Sequence, residues 1–259
     1  MKTRFAVRFL PVLLSICLLA PVCLAAQQGR QVSIPSGDET VGGLLFQPQG
    51  TVHGKRPGLI VIHEWWGLND WIQQQSQQFA DQGYVALAVD LYRGKVATDA
   101  EMAHELMRGL PQDRGVRDLV AAANWLAKQP DVDPNRIGAI GWCMGGGYAA
   151  QLAVNDPNLK AVVINYGSLP TDKSALERIH AKVLGNFGGL DRGITPDDVH
   201  AFEAAMQSLG KPVDAKIYPD AGHAFENPTN AGGYKPADAA DAEHRSGAFL
   251  REQLHPGQA

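Results

Sequence analysis

Apolar residues along this chain fall into two alternating rhythms. Residues 59–62 (Leu-Ile-Val-Ile) and 84–89 (Tyr-Val-Ala-Leu-Ala-Val) are continuous apolar runs, the pattern of strands buried on both faces. Between such runs lie segments with apolar positions three and four apart. In 113–128, Val116, Leu119, Val120, Ala123, Leu126 and Ala127 share one helical face, and Pro130 stops the helix. Thr195-Pro196-Asp197-Asp198 opens another: Thr195 suits the N-cap, Pro196 the first position, and the acids the positive end. Val199, Phe202, Met206 and Leu209 form its buried stripe, and Gly210 ends it.

The same reading predicts further strands at 137–142, 159–165, 181–187 and 213–218. Further helices are predicted at 71–81, at 99–108 with Thr98 as cap, at 143–154 and at 236–254. Ahead of these, 31–34 and 41–46 flank Ser36-Gly37-Asp38 and read as a hairpin. Strands alternating with helices of this length imply βαβ units: an α/β fold with a mostly parallel central sheet, helices on both faces and an N-terminal hairpin. In such sheets the active site collects at the carboxyl ends of the strands. A functional candidate should therefore fall just after a strand.

Composition narrows the class. Lys2, Arg4 and Arg8 precede a mostly apolar stretch at 10–24, and small residues follow at Ala25-Ala26, as in a cleaved export signal over 1–25. Pro11 and Pro21 interrupt a stretch already short for a membrane span. Ile16 and Val22, before Cys17 and Cys23, are bulkier than lipoprotein processing favours. Residues 26–259 then suit one α/β domain, read as an exported monomer, periplasmic or secreted. A net charge of −4 spread along the chain gives no nucleic-acid or anionic-membrane surface. After cleavage Cys143 is the one cysteine left; a thiol that cannot pair within the chain points to reactivity.

Cys143 stands in Gly141-Trp142-Cys143-Met144-Gly145, after the run 137–140 and before a small-residue helix start. That is the form of the G-x-S-x-G elbow of α/β-hydrolases, with sulfur for oxygen. A helix N-terminus favours a thiolate, and the N–H of Met144 would face an oxyanion. A buried core thiol is the bland alternative, but it would not need the flanking glycines. Asp191 follows the 181–187 run and His223 the 213–218 run, giving the order nucleophile, acid, base. Singly, Asp191 could be a turn aspartate and His223 a surface histidine; order and strand-end position together favour a triad. Glu64 ends the 59–62 strand beside Trp65 and Trp66, where desolvation would raise its pKa and suit it to carrying a proton; a salt-bridged loop glutamate is the alternative. Gly67 rules out a zinc H-E-x-x-H motif, and no metal is expected.

These residues resemble the dienelactone hydrolase (carboxymethylenebutenolidase) family over nearly the whole mature chain. The resemblance rests on His63-Glu64-Trp65-Trp66-Gly67-Leu68-Asn69, Val89-Asp90-Leu91-Tyr92, Gly141-Trp142-Cys143-Met144-Gly145-Gly146, Gly188-Gly189-Leu190-Asp191 and Ala221-Gly222-His223-Ala224-Phe225. It implies an α/β-hydrolase without a large lid, no cofactor, and ester or lactone hydrolysis through a thioester. Cys143, His223 and Asp191 would be the triad, Glu64 an auxiliary acid, and the N–H groups of Met144 and Trp65 the oxyanion hole. Tyr92, Arg93, Trp66 and Phe225 would contact a small-molecule substrate. The chain departs from the family where dienelactone-cleaving members carry an arginine four residues after the histidine: here it is Asn227, and Arg93 is shifted by one residue from a second family arginine. Loss of a bidentate carboxylate partner, and export, argue against dienelactone as the natural substrate. The rival readings are a redox thiol, which would need no acid-base relay, and a non-catalytic binder on the same scaffold.

Overall fold

The computed structural model describes residues 29–50 and 54–255. The export signal expected at 1–25 lies outside the described residues, as do Cys17 and Cys23. The described chain runs β1 (Arg30–Ser36), β2 (Glu39–Phe46), β3 (Arg56–Ile62), α1 (Asp70–Asp81), β4 (Val85–Asp90), α2 (Ala100–Arg108) and α3 (Gln112–Ala127). It continues through β5 (Val132–Trp142), α4 (Met144–Asn155), β6 (Ala161–Asn165), α5 (Lys173–Arg178), β7 (Lys182–Gly188), α6 (Pro196–Ser208), β8 (Val213–Tyr218) and α7 (Pro236–Leu254).

The eight strands form one sheet in the order β1-β2-β4-β3-β5-β6-β7-β8. The hairpin β1–β2 and the β2–β4 pair are antiparallel; every later neighbour is parallel. Strand residues alternate between two cores, as a period of two requires. Leu59 and Val61 of β3 pack with Trp71, Ile72 and Phe79 of α1 and with Phe249 and Leu250 of α7. Ile60 and Ile62 face the other side, with Leu119 and Leu126 of α3, Leu152 of α4 and Phe202 of α6. Each such side chain contributes about 1.5–3 kcal/mol on full burial, so the unbroken apolar runs specify sheet and helix layers together.

Strand order places the site. From β3 the chain crosses to β4 on one side and later to β5 on the other. The crevice of such a sheet opens at this reversal, beyond the carboxyl ends of β3 and β5. Glu64 follows β3 and Cys143 follows β5.

The elements differ from expectation at three places. Asp99, not Thr98, caps α2: its side chain accepts the Met102 N–H at 2.8 Å, because a carboxylate reaches the free first-turn donor. The six-residue helix α5 is too short to show a helical period and was not predicted. β5 begins at Val132 rather than 137, since Val132 pairs with Arg56 across a bulge.

Candidate active site

Cys143 sits between β5 and α4 with φ +54° and ψ −119°, a region non-glycine residues rarely enter. Such a conformation costs of order 1–3 kcal/mol and persists because its surroundings hold it. The Cys143 N–H donates to the Asn165 carbonyl at 3.0 Å, and the Cys143 carbonyl accepts from Gly147 N–H at 3.2 Å. The neighbouring glycines are required by contact: a Cβ on Gly141 would lie 2.1 Å from the Gly145 carbonyl oxygen, and one on Gly145 would lie 2.3 Å from that of Ile62. Met144 opens α4, so its N–H has no intrahelical acceptor.

His223 lies in the connection from β8 to α7. Its Nε2 is 3.0 Å from Cys143 Sγ and its Nδ1 is 2.6 Å from Asp191 Oδ2. The other Asp191 oxygen accepts the N–H groups of Gly193 (2.8 Å) and Ile194 (3.1 Å). Burial pushes the Asp191 carboxyl upward, but the hydrogen bond from His223 and those two N–H groups outweigh it and hold its pKa low. Burial disfavours the His223 imidazolium, and the Asp191 and Cys143 partners more than offset that, raising the ring to about 10. With a carboxylate facing Nδ1, that nitrogen carries hydrogen, and Nε2 is the atom able to exchange a proton with sulfur.

Glu64 is buried at the same crevice. Its Oε2 accepts from Asn227 Nδ2 at 2.6 Å, and Tyr166 Oη donates to Oε1 at 3.4 Å. Burial dominates: against the hydrogen bond from Asn227 and the charge of His223 it lifts the Glu64 carboxyl to about 7. His63 fixes the adjoining backbone. Burial lowers its pKa, its Nδ1 meets the Glu64 carbonyl at 2.6 Å, and its Nε2 accepts the Leu91 N–H at 3.3 Å.

Two cavities meet at Cys143 and His223. One, of about 470 Å³, is walled by Glu64, Trp65, Trp66, Asn227 and Thr229 among others. The other, of about 380 Å³, is walled by Met144, Tyr148, Tyr166, Leu169 and Ile194 among others. Met107 of α2 borders both.

The structure therefore gathers Cys143, His223, Asp191, Glu64, Met144, Trp65 and Trp66. Trp65 meets Trp66 and His104 edge-on, with ring centroids 4.9 and 4.7 Å apart. Three expectations are corrected. Tyr92 is buried and lines neither cavity; its hydroxyl donates to Met144 Sδ at 3.2 Å, so it supports a wall residue. Arg93 turns away from the cavities to the buried carboxylate of Asp118 at 2.7 Å, with Glu39 at 3.4 Å, because that carboxylate needs a cation. Phe225 is fully buried against Tyr166 and Tyr218, at 5.5 and 4.9 Å between ring centroids, and belongs to the core. Tyr166, Met107 and Tyr148 were missed. Tyr166 was detectable, since it directly follows β6 and meets the strand-end criterion.

A mostly parallel sheet with helices on both faces and a strained elbow at its reversal point define an α/β-hydrolase. More narrowly, the chain belongs to the dienelactone hydrolase family, whose model matches residues 41–254. It is similar to a Salmonella typhimurium protein named "Putative carboxymethylenebutenolidase", at 32% identity over 245 residues, covering 88% of this chain and 90% of that one. It is similar to Protein usf of Aquifex pyrophilus, at 32% identity over 233 residues covering 87% and 99% of the two chains. Among solved structures it is similar to a dienelactone hydrolase-like promiscuous phosphotriesterase from metagenomic libraries, with a TM-score of 0.80 and 26% identity over 87% of this chain and 98% of that one. The protein is thus a dienelactone hydrolase-like hydrolase.

Proposed function

We propose that the protein hydrolyses uncharged carboxylic esters or lactones through a thioester on Cys143. The observation that carries this is the chain Asp191 Oδ2–His223–Cys143 Sγ, with links of 2.6 and 3.0 Å. The Cys143–His223 pair shares one proton, which sits on His223 Nε2 as sulfur attacks the carbonyl carbon. The N–H groups of Met144 and Trp65 hold the resulting oxyanion. Collapse breaks the ester C–O bond, and the imidazolium returns its proton to the leaving alkoxide. Water, deprotonated by His223, then attacks the thioester; the acid departs and the thiolate is reprotonated. Asp191 keeps Nδ1–H in place throughout. Glu64, buried and half-protonated near pH 7, is the auxiliary proton carrier.

The walls support an uncharged substrate. Neither cavity is lined by lysine or arginine, and Asn227 engages Glu64 rather than facing outward as a carboxylate clamp. An anionic group would enter with no lysine or arginine to pair with, next to a carboxyl group. We further read the leader as directing export, so the substrate would be met outside the cytoplasm.

The test is hydrolysis of short p-nitrophenyl esters and simple lactones by the protein and by Cys143→Ala. The reading expects turnover by the wild type and a loss of about 10⁴-fold or more in the variant. Equal rates would assign the chemistry elsewhere, and no turnover in either would return the thiol to a redox or binding role.

A further inference from the structure

Three consecutive residues of the histidine loop point in three directions. Phe225 enters the core, Asn227 holds Glu64, and Glu226 reaches beneath the nucleophile elbow. Glu226 Oε2 accepts the indole N–H of Trp142 at 2.9 Å. Trp142 is the residue before Cys143, and its ring is fixed against Trp71 with centroids 5.4 Å apart. Glu226 Oε1 lies 3.3 Å from the side-chain amide of Asn165. Asn165 is the residue whose carbonyl receives the Cys143 N–H. One carboxyl group thus touches both neighbours that fix the cysteine, and it does so from the segment that carries His223.

We infer that Glu226 is a positioning residue: it bolts the histidine loop to the underside of the elbow and so sets the distance between His223 Nε2 and Cys143 Sγ. The inference rests on the proposed thiol–imidazole relay, and it adds a group that touches neither substrate nor sulfur.

The Asn165 amide has two orientations, and the carboxyl group meets it in both. With its oxygen toward Asn186 Nδ2, at 2.8 Å, that oxygen also faces Glu226 Oε1, and the contact is a hydrogen bond when Glu226 carries a proton. Turned over, its N–H donates to Glu226 Oε1 at 3.3 Å and its oxygen accepts the Trp142 N–H at 3.0 Å. In either orientation Glu226 links Trp142 to Asn165. Burial foremost, and then the carboxylates of Glu64 and Glu243, raise Glu226 to about 8, against the stabilising Trp142 N–H.

Glu226→Gln and Glu226→Ala separate this role from bulk stability. Glutamine keeps an oxygen for the Trp142 N–H and a second polar atom beside Asn165. The readout is the second-order rate of Cys143 alkylation by iodoacetamide from pH 5 to 10, with ester kcat and KM alongside and thermal melts to establish folding. Glu226→Ala should slow alkylation at pH 7 by about tenfold and lower kcat by about 10–100-fold with little change in KM, since a misplacement of about 1 Å has effects of this size. Glu226→Gln should restore most of the alkylation rate and of kcat at pH 7. Should the alanine variant fail to fold, Trp142→Phe, which removes the other end of the link, replaces it. Wild-type alkylation in a folded alanine or Trp142→Phe variant, or a folded glutamine variant as slow as alanine, would overturn the inference. Alkylation is read without ester, so absence of hydrolysis in wild type would refute the proposed function and leave this test standing.

Discussion

The nucleophile elbow and the histidine loop deliver the two halves of one relay by opposite means. The elbow is built by backbone contact. Gly141, Gly145 and Gly146 let a strand, a turn and a helix start approach so closely that a methyl group has no room at any of the three. The loop, residues 219–235, has neither strand nor helix and is held by side chains. Phe225, Glu226 and Asn227 anchor it, and Asn230 Nδ2 donates to the carbonyls of His223 at 3.2 Å and Ala224 at 3.1 Å. Steric construction is rigid and fails abruptly. Side-chain construction fails by degrees, and burial raises the two carboxyl groups it uses, Glu64 and Glu226.

The largest effect should come from breaking the elbow itself. Gly141→Ala places a Cβ 2.1 Å from the Gly145 carbonyl oxygen, and neither backbone segment can yield. Urea denaturation should show a loss of about 4 kcal/mol or more; a variant within 1 kcal/mol of wild type would show that the elbow is looser than described.

Asp191→Asn probes the loop side. It keeps the shape of the side chain but cannot hold Nδ1–H against its own amide, so the imidazole turns to the wrong tautomer. Turnover should fall by about 10³–10⁴-fold while the melting temperature changes by only a few degrees. A tenfold loss or less would leave Asp191 as a turn former through Gly193 and Ile194.

A smaller effect separates the two regions by pH. Glu64 is raised from 4.5 to about 7 in the folded protein. The folded state therefore holds its proton more tightly than the unfolded chain, and the stability this brings is present below about pH 4.5 and lost as pH rises through 7. At about 1.4 kcal/mol per pH unit, Glu64→Gln should be more stable than wild type by up to about 3 kcal/mol at pH 8. The advantage should shrink to almost nothing at pH 4. Urea titrations at the two pH values measure it, and a difference independent of pH would place Glu64 outside the buried titrating set.

Legibility from the sequence follows the same division. The elbow is local: Gly141-Trp142-Cys143-Met144-Gly145 states its backbone requirement in five residues, and the buried runs at 59–62 and 84–89 state the sheet. The order of Cys143, Asp191 and His223 at strand ends was likewise readable, because chain topology alone brings those ends to one edge. The loop was not. Nothing in Phe225-Glu226-Asn227 distinguishes a ring facing substrate from a ring filling the core, and Phe225 was assigned to the wrong one. Arg93 was misread for a similar reason: its partner Asp118 is 25 positions away on α3, and no local pattern announces a buried carboxylate. The contacts of Asn227 with Glu64 and of Glu226 with Trp142 span 163 and 84 positions. Pairings of that range exist only once the sheet has formed.

Acylation of Cys143 during turnover can be caught by quenching the reaction with a p-nitrophenyl ester in acid within milliseconds and mapping the acyl mass by peptide mass spectrometry. The acyl group should lie on the peptide containing Cys143, appear with the burst of p-nitrophenol and be absent from Cys143→Ala. An acyl group on another residue, or full turnover with the Cys143 peptide never modified, would contradict the thioester route.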